Sequence, residues 1–187
     1  MINLLWLFNY KKNLTIKIKK NTMKLINILS VVLALCLSTS LSAQKVLPNV
    51  NVKDLKGKTV NIQDFAKNGK ITVISFWATW CSPCKRELDA IADIYPDWQE
   101  EYDAELVAVT IDNARAMSKV PGIVETKKWD YVILSDVNQD LQRALNFQSV
   151  PQTFLLDQEG NIVYTHTGYV SGDEYELEDK IKALAGK

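Results

Sequence analysis

The sequence predicts an α/β domain built on a central mixed β-sheet with helices on both faces. Three observations predict it. Residues 71–77, Ile-Thr-Val-Ile-Ser-Phe-Trp, are a β-rich run with almost no polar face, as a strand covered on both sides requires. Strand-like and helix-like segments alternate through the middle of the chain, which ends on a hairpin and a helix. An apolar content of 47% over 187 residues, with 7 Gly and 5 Pro, suits one domain with a real core and is too little for two.

Each element has its own local reason. Residues 46–68 hold short apolar pieces around Lys56-Gly57-Lys58, the pattern of a small N-terminal hairpin. After the strand at 71–77, residues 82–95 have helical spacing. With Cys84 at zero on a wheel of about 100° per residue, Leu88, Ile91, Tyr95 and Trp98 lie within roughly 40° of it, so Cys84 faces the core. Cys81 and Glu87 fall about 60° to either side of that stripe, and Lys85, Arg86, Asp89 and Asp93 lie on the wet face. Pro96 is expected to kink or end the helix near Tyr95. A second buried strand is expected at 105–111, then a helix over 114–128 interrupted at Pro121-Gly122, and a third strand at 131–134. A short helix at 140–147, a hairpin of 152–156 with 161–165 through Asp157-Gln158-Glu159-Gly160, and a last helix over 173–185 complete the list.

The amino end reads differently. Met23-Lys24 precedes an apolar run of 13 residues at 25–37, broken only by Asn27 and Ser30, and then Ser38-Thr39-Ser40-Leu41-Ser42-Ala43. That is the n-region, h-region and small-residue cleavage site of a secretory signal. The division expected is therefore 1–43 as signal peptide or N-terminal anchor and 44–187 as the domain, with Met23 as the true initiator or, alternatively, a long Lys-rich n-region from Met1. An uncleaved anchor is the alternative, although the run is short of the roughly 20 residues a span needs. Cys36 belongs to the h-region, because the bulky Leu35 before it does not fit a lipidation site.

The overall net charge of zero hides an asymmetry. The first 43 residues carry six Lys and no acid, which leaves 16 basic against 22 acidic residues from Gln44 onward. An acidic body without a Lys/Arg stripe argues against nucleic acid, whose binding depends on neutralising phosphates.

Without the signal, two cysteines remain, separated by two residues in Trp80-Cys81-Ser82-Pro83-Cys84, in a compartment where disulfides form. A thiolate is the nucleophile of disulfide exchange, so such a cysteine needs a stabilised anion and an exposed sulfur. The first turn of a helix supplies both. As N-cap, Cys81 accepts the orphan N–H of Cys84 at the positive end of the helix dipole, and Pro83 is tolerated because its missing donor is an orphan anyway. Cys81 is then the exposed nucleophile and Cys84 the buried resolver of the mixed disulfide. A haem site would need His where Lys85 stands, and zinc would need two more ligands where the domain offers only His166, which is read as structural. No cofactor and no metal are expected. An inert disulfide is the remaining alternative.

The stretch Ser75-Phe76-Trp77-Ala78-Thr79-Trp80-Cys81-Ser82-Pro83-Cys84-Lys85 resembles the active-site segment of the thioredoxin fold, and Ser149-Val150-Pro151-Gln152-Thr153-Phe154 resembles its cis-proline segment. The likeness spans nearly all of the chain after Val46, in the expected order. It implies a cis Val150–Pro151 bond facing the cysteines, with Trp80, Val150 and Pro151 binding substrate; an ordinary trans proline opening a strand is the alternative. Two departures narrow the type. Thioredoxin's buried acid corresponds here to Ser75. Glu87, one turn beyond Cys84, matches the acid that TlpA/ResA-like exported oxidoreductases carry near their cysteines. A half-buried carboxylate there would have a raised pKa and could exchange a proton with the resolving thiol, although its head could equally swing into water. The long stretch 112–149 corresponds to the helix and strand which that type inserts at the centre of the domain.

The resemblance implies dithiol-disulfide exchange, as a reductase of protein disulfides in the periplasm or cell envelope, including apocytochromes. The partners it implies are protein thiols and disulfides and a membrane-bound electron donor, with the protein itself a monomer. A peroxiredoxin-like peroxidase is a second reading, weakened by Ala78 where Thr or Ser would precede the nucleophile by three. A peptide-binding or copper-binding adaptor of the same fold is a third.

Overall fold

The computed structural model describes residues 45–187; the segment read as an export signal lies outside the described residues. The hairpin forms from β1 (Asn51–Asp54) and β2 (Thr59–Asn61), paired antiparallel with Val52 opposite Val60. Asp54 closes its turn, its carboxylate accepting the backbone N–H of Lys56 and of Lys58. A 3-10 turn over Ile62–Lys67 leads into β3 (Ile71–Trp77), every residue of which is buried.

Helix α1 (Ser82–Tyr102) follows. Its buried stripe is the one the wheel gives, with Glu87 and Tyr102 added to it. Pro96 does not end the helix, which was one of the two outcomes expected of it. It sits on the exposed side, while Tyr95, Trp98 and Tyr102 keep the core-facing stripe unbroken past it, and their burial outweighs one lost backbone hydrogen bond. The helix ends at Asp103, a left-handed residue whose N–H returns to the Trp98 carbonyl.

Strand β4 (Ala104–Thr110) runs parallel to β3. The next helix, α2, is shorter than expected, Val120–Lys127, because Pro121 lies in its first turn and opens it where an interruption was expected. Strand β5 (Val132–Ser135) pairs parallel with β4 and antiparallel with β1, so this inserted helix and strand tie the N-terminal hairpin to the rest of the sheet. Helix α3 (Asp140–Leu145), strands β6 (Gln152–Leu156) and β7 (Ile162–Thr167) and helix α4 (Asp173–Leu184) complete the domain. In the β6–β7 turn Gly160 is obligatory: its φ is +82°, and a Cβ there would lie 2.2 Å from the Ala66 carbonyl oxygen.

The seven strands lie in the order β2-β1-β5-β4-β3-β6-β7, with β3 to β5 parallel and the others antiparallel to their neighbours. Alternation along β3 sorts its side chains onto two faces. Ser75 and Trp77 point to the face covered by α1, while Phe76 points to the other and meets Phe147, just beyond α3, at 4.6 Å between ring centroids. The mixed sheet with helices on both faces is as the sequence predicts. Among the described residues no helix is long and apolar enough to cross a membrane.

Candidate active site

The turn from β3 into α1 places the cysteine pair at the C-terminal edge of the parallel strands. Cys81 is the N-cap, and its Sγ accepts the Cys84 backbone N–H at 3.2 Å. The two cysteines are joined as a disulfide, with their Cα atoms 5.4 Å apart. Cys84 is fully buried, as the wheel requires.

Cys81 departs from expectation. It is only 4% exposed, because the Val150 carbonyl oxygen stands 3.7 Å from its Sγ and the disulfide turns the sulfur inward toward Cys84. The wheel sees a single helix and cannot account for that cover from residues far along the chain. Trp80 is exposed, with 68% of its surface in solvent, and so is Ser82. The Val150–Pro151 bond is cis, Pro151 is buried, and the Pro151 carbonyl accepts the Gly168 N–H. Thus Cys81, Cys84, Trp80, Val150 and Pro151 converge at one end of the sheet.

Glu87 is not half-buried and its head is not in water. It is 4% exposed, lying beneath the cysteine pair on the sheet side of α1. Its burial has a definite chemistry: Ser75 Oγ donates to one carboxylate oxygen at 3.2 Å and Thr153 Oγ1 to the other at 2.7 Å. Ser75 and Thr153 are directly opposite each other on β3 and β6. The strand position that lacks an acid therefore supplies a hydroxyl to an acid from the helix. Burial pushes the Glu87 carboxyl up to about 7, against the two hydroxyl hydrogen bonds that hold it down.

Two further interactions fix the cysteine loop, and sequence reasoning missed both. Asp112, just past β4 and 1% exposed, accepts the Thr79 N–H at 2.8 Å, the Thr79 hydroxyl at 2.9 Å and the Thr110 hydroxyl at 2.6 Å. Lys85 was assigned to the wet face, yet its ammonium donates to the Thr79 carbonyl at 2.9 Å. The available signal for Asp112 was its place: loops at the C-terminal edge of parallel strands are where α/β folds build sites. Among the described residues no group of three or more His, Cys, Asp or Glu side chains is disposed to hold a metal ion. His166, on β7, lies 3.1 Å from Asp173.

Comparison with known proteins agrees with this geometry. The model of the AhpC/TSA family matches residues 43–165. The thiol-disulfide oxidoreductase ResA of Bacillus thuringiensis subsp. konkukian is 27% identical over 140 residues, spanning 75% of this chain and 77% of its own. The thioredoxin-like protein YneN of Bacillus subtilis is 33% identical, over 69% of this chain and 74% of its own. The solution structure of a thioredoxin-like protein from Porphyromonas gingivalis aligns with a TM-score of 0.67 and 44% identity, covering 75% of this chain and 92% of that one. The chain belongs to the AhpC/TSA family and is a thioredoxin-fold thiol-disulfide oxidoreductase of the TlpA/ResA-like type.

Proposed function

We propose that the protein acts as a reductant of disulfides in exported proteins. In this reading Cys81 attacks one sulfur of the substrate disulfide and the other sulfur leaves as a thiolate. Cys84 then gives its proton to Glu87 and attacks Cys81, which releases the second substrate sulfur and leaves the Cys81–Cys84 disulfide. Trp80, Val150 and Pro151 form the surface on which the substrate polypeptide lies.

The observation that carries the reading is Glu87, buried one turn beyond Cys84 and held by Ser75 and Thr153. A carboxylate pushed up to about 7 accepts and returns a proton near neutrality without a large free-energy step in either direction. Direction follows from the same surroundings. Strong oxidants of this chemistry owe their potential to a stabilised reduced form. Here the ionisable group one turn from Cys84 is an acid, and the nearby Lys85 ammonium is engaged by the Thr79 carbonyl. An acid does not favour a thiolate as a cation would, so the balance tilts toward the disulfide and the protein gives up its electrons readily.

Residues 23–43 support export to the periplasm or cell envelope, where a membrane-bound donor would return electrons to the disulfide. Apocytochrome cysteines are one substrate class of suitable chemistry. Equilibration with a glutathione or dithiothreitol buffer tests direction: a potential near or below about −200 mV is expected, and one near about −120 mV would overturn the reductase reading. Cys81→Ala should abolish insulin reduction, and Cys84→Ser should accumulate a mixed disulfide through Cys81. Peroxide consumption that survives Cys84→Ser but not Cys81→Ser would favour a peroxidase instead. The buried Ala78 gives that reading no hydroxyl three residues before Cys81, and the Thr79 hydroxyl is bound to Asp112.

A further inference from the structure

A buried acid that takes up and gives back a proton in each cycle needs a connection to water. Ser75 and Thr153, the two donors to Glu87, belong to a polar row that runs straight across three strands. Ser75 on β3 is opposite Thr153 on β6, and Thr153 is opposite His166 on β7. This row lies on the face covered by α1 and α4. A narrow cavity beside it is lined by Glu87, Ile91, Thr153, Tyr164, His166 and Asp173, with about 10 Å³ open to the centre of a water molecule. That room is on the order of one water. Its polar lining supplies the partners such a water needs.

His166 is the chain's only histidine. Its side chain is 31% exposed, so it meets solvent on one side and the cavity on the other. Asp173 orients it, with 3.1 Å between Nε2 and Oδ2, and the ring stacks on Tyr164 at 6.2 Å between centroids. Asp173 is itself held, accepting the Val170 N–H at 2.8 Å. The other ionisable groups around the ring are Glu87 from α1, Glu174 from α4 with Tyr169 donating to it, and Tyr164, which donates to Glu176 and lies under the Lys180 ammonium.

We propose that His166, oriented by Asp173, is the solvent end of a proton path that serves Glu87 during thiol-disulfide exchange. The inference rests on the reading of Glu87 given above. In the resolving step the Cys84 S–H proton passes to the Glu87 carboxylate while a bond forms between Cys84 Sγ and Cys81 Sγ. The bond between Cys81 and the substrate sulfur breaks, and its electron pair leaves with that sulfur, which takes a proton from water. Two enzyme thiols are thereby oxidised and one substrate disulfide reduced. Glu87 then passes its proton through a water in the cavity to His166, and His166 releases it to solvent, so the protons balance. Re-reduction by a dithiol donor runs the path inward. Glu87 is pushed up to about 7 by its burial, so it takes up and releases a proton near neutrality. His166 acts through Glu87 and not on sulfur, so it is a positioning residue.

The test is a stopped-flow reaction of the reduced full chain with 5,5′-dithiobis(2-nitrobenzoate) from pH 5 to 9. The first thionitrobenzoate released reports attack by Cys81 and serves as internal reference; the second reports resolution by Cys84. His166→Gln is expected to slow the second phase about tenfold near pH 7, and added imidazole is expected to restore it. Asp173→Asn, which keeps the ring but loses its anchor, is expected to slow it about threefold and serves if His166→Gln does not fold. A second phase in both variants that superposes on the wild-type profile would overturn the proposal. So would equal slowing at every pH without imidazole rescue, which is what a packing role gives. Glu87→Gln separates the two readings. If it leaves the second phase unchanged, the role of Glu87 falls and the path with it; if it slows the phase while the His166 and Asp173 variants do not, only the path falls.

Discussion

Asp112 and Glu87 are two buried carboxylates at the same end of the sheet, and they do different work because of what donates to them. Asp112 accepts a backbone N–H and two hydroxyls, all within 2.9 Å, and two of those donors belong to Thr79 in the cysteine loop. Glu87 accepts only two hydroxyls, and burial prevails, pushing it up to about 7. Buried carboxylates are tolerated where hydrogen bonds replace water. With two donors in the cysteine loop Asp112 serves as an anchor; Glu87, raised by its burial, is able to change its protonation near neutrality.

Substitution should break this pair apart along that line. The largest effect is expected from Asp112→Ala, which leaves the Thr79 N–H and two hydroxyls without their acceptor. Rotation of the hydroxyls recovers part of the loss, so the cost is roughly 3 kcal/mol, or about 10 °C in the melting temperature of a domain this size. Calorimetry checks it: an unchanged melting temperature would mean that the Thr79 contacts do not hold the loop.

Glu87→Gln should do the opposite. The folded-state pKa of about 7 lies above the ordinary carboxylate value of 4.5, so the folded protein binds more protons than the unfolded chain between these limits. Stability then falls as pH rises through that window and levels off above about 7. A gap of this size corresponds to roughly 3 kcal/mol. The amide of Gln accepts from Thr153 and donates to Ser75 without charge, so the variant should match the wild type near pH 5 and exceed it near pH 8. Denaturant midpoints across the range would show this, and parallel curves for the two proteins would refute the assignment of Glu87 as the titrating group. Thr153→Val sharpens the same point at smaller scale. Losing the 2.7 Å hydroxyl should cost about 1 kcal/mol at neutral pH and move the inflection upward from about 7, since that hydrogen bond lowers the Glu87 pKa.

Much of this is legible in the sequence. The central strand, the Cys84 stripe, the N-cap role of Cys81 and the closing hairpin each rest on local periodicity or a fixed spacing, and each is found. What local patterns missed depends on distant chain. The full burial of Glu87 needs Thr153, which reaches it only because β6 pairs with β3. The cover over Cys81 comes from Val150, and the Asp112 anchor joins the ends of two strands. The helix runs on past Pro96 for the reverse reason: a local helix breaker is outvoted by Trp98 and Tyr102, whose burial is a tertiary fact.

The smallest effect is expected at Lys85, and it tests whether Asp112 alone secures the loop. The ammonium donates to the Thr79 carbonyl at 2.9 Å, so both backbone polar groups of Thr79 are held, the N–H by Asp112 and the C=O by Lys85. The carboxylate is buried and irreplaceable by water, whereas the lysine is partly solvated and water can take its place. Lys85→Met keeps most of the aliphatic stem and removes only the donor, which should cost about 0.5 kcal/mol. The loss in the double variant with Asp112→Ala should exceed the sum of the two single losses if both side chains hold one rigid unit. Simple additivity would mean that Asp112 positions the Cys81 loop by itself and that the lysine contact is incidental.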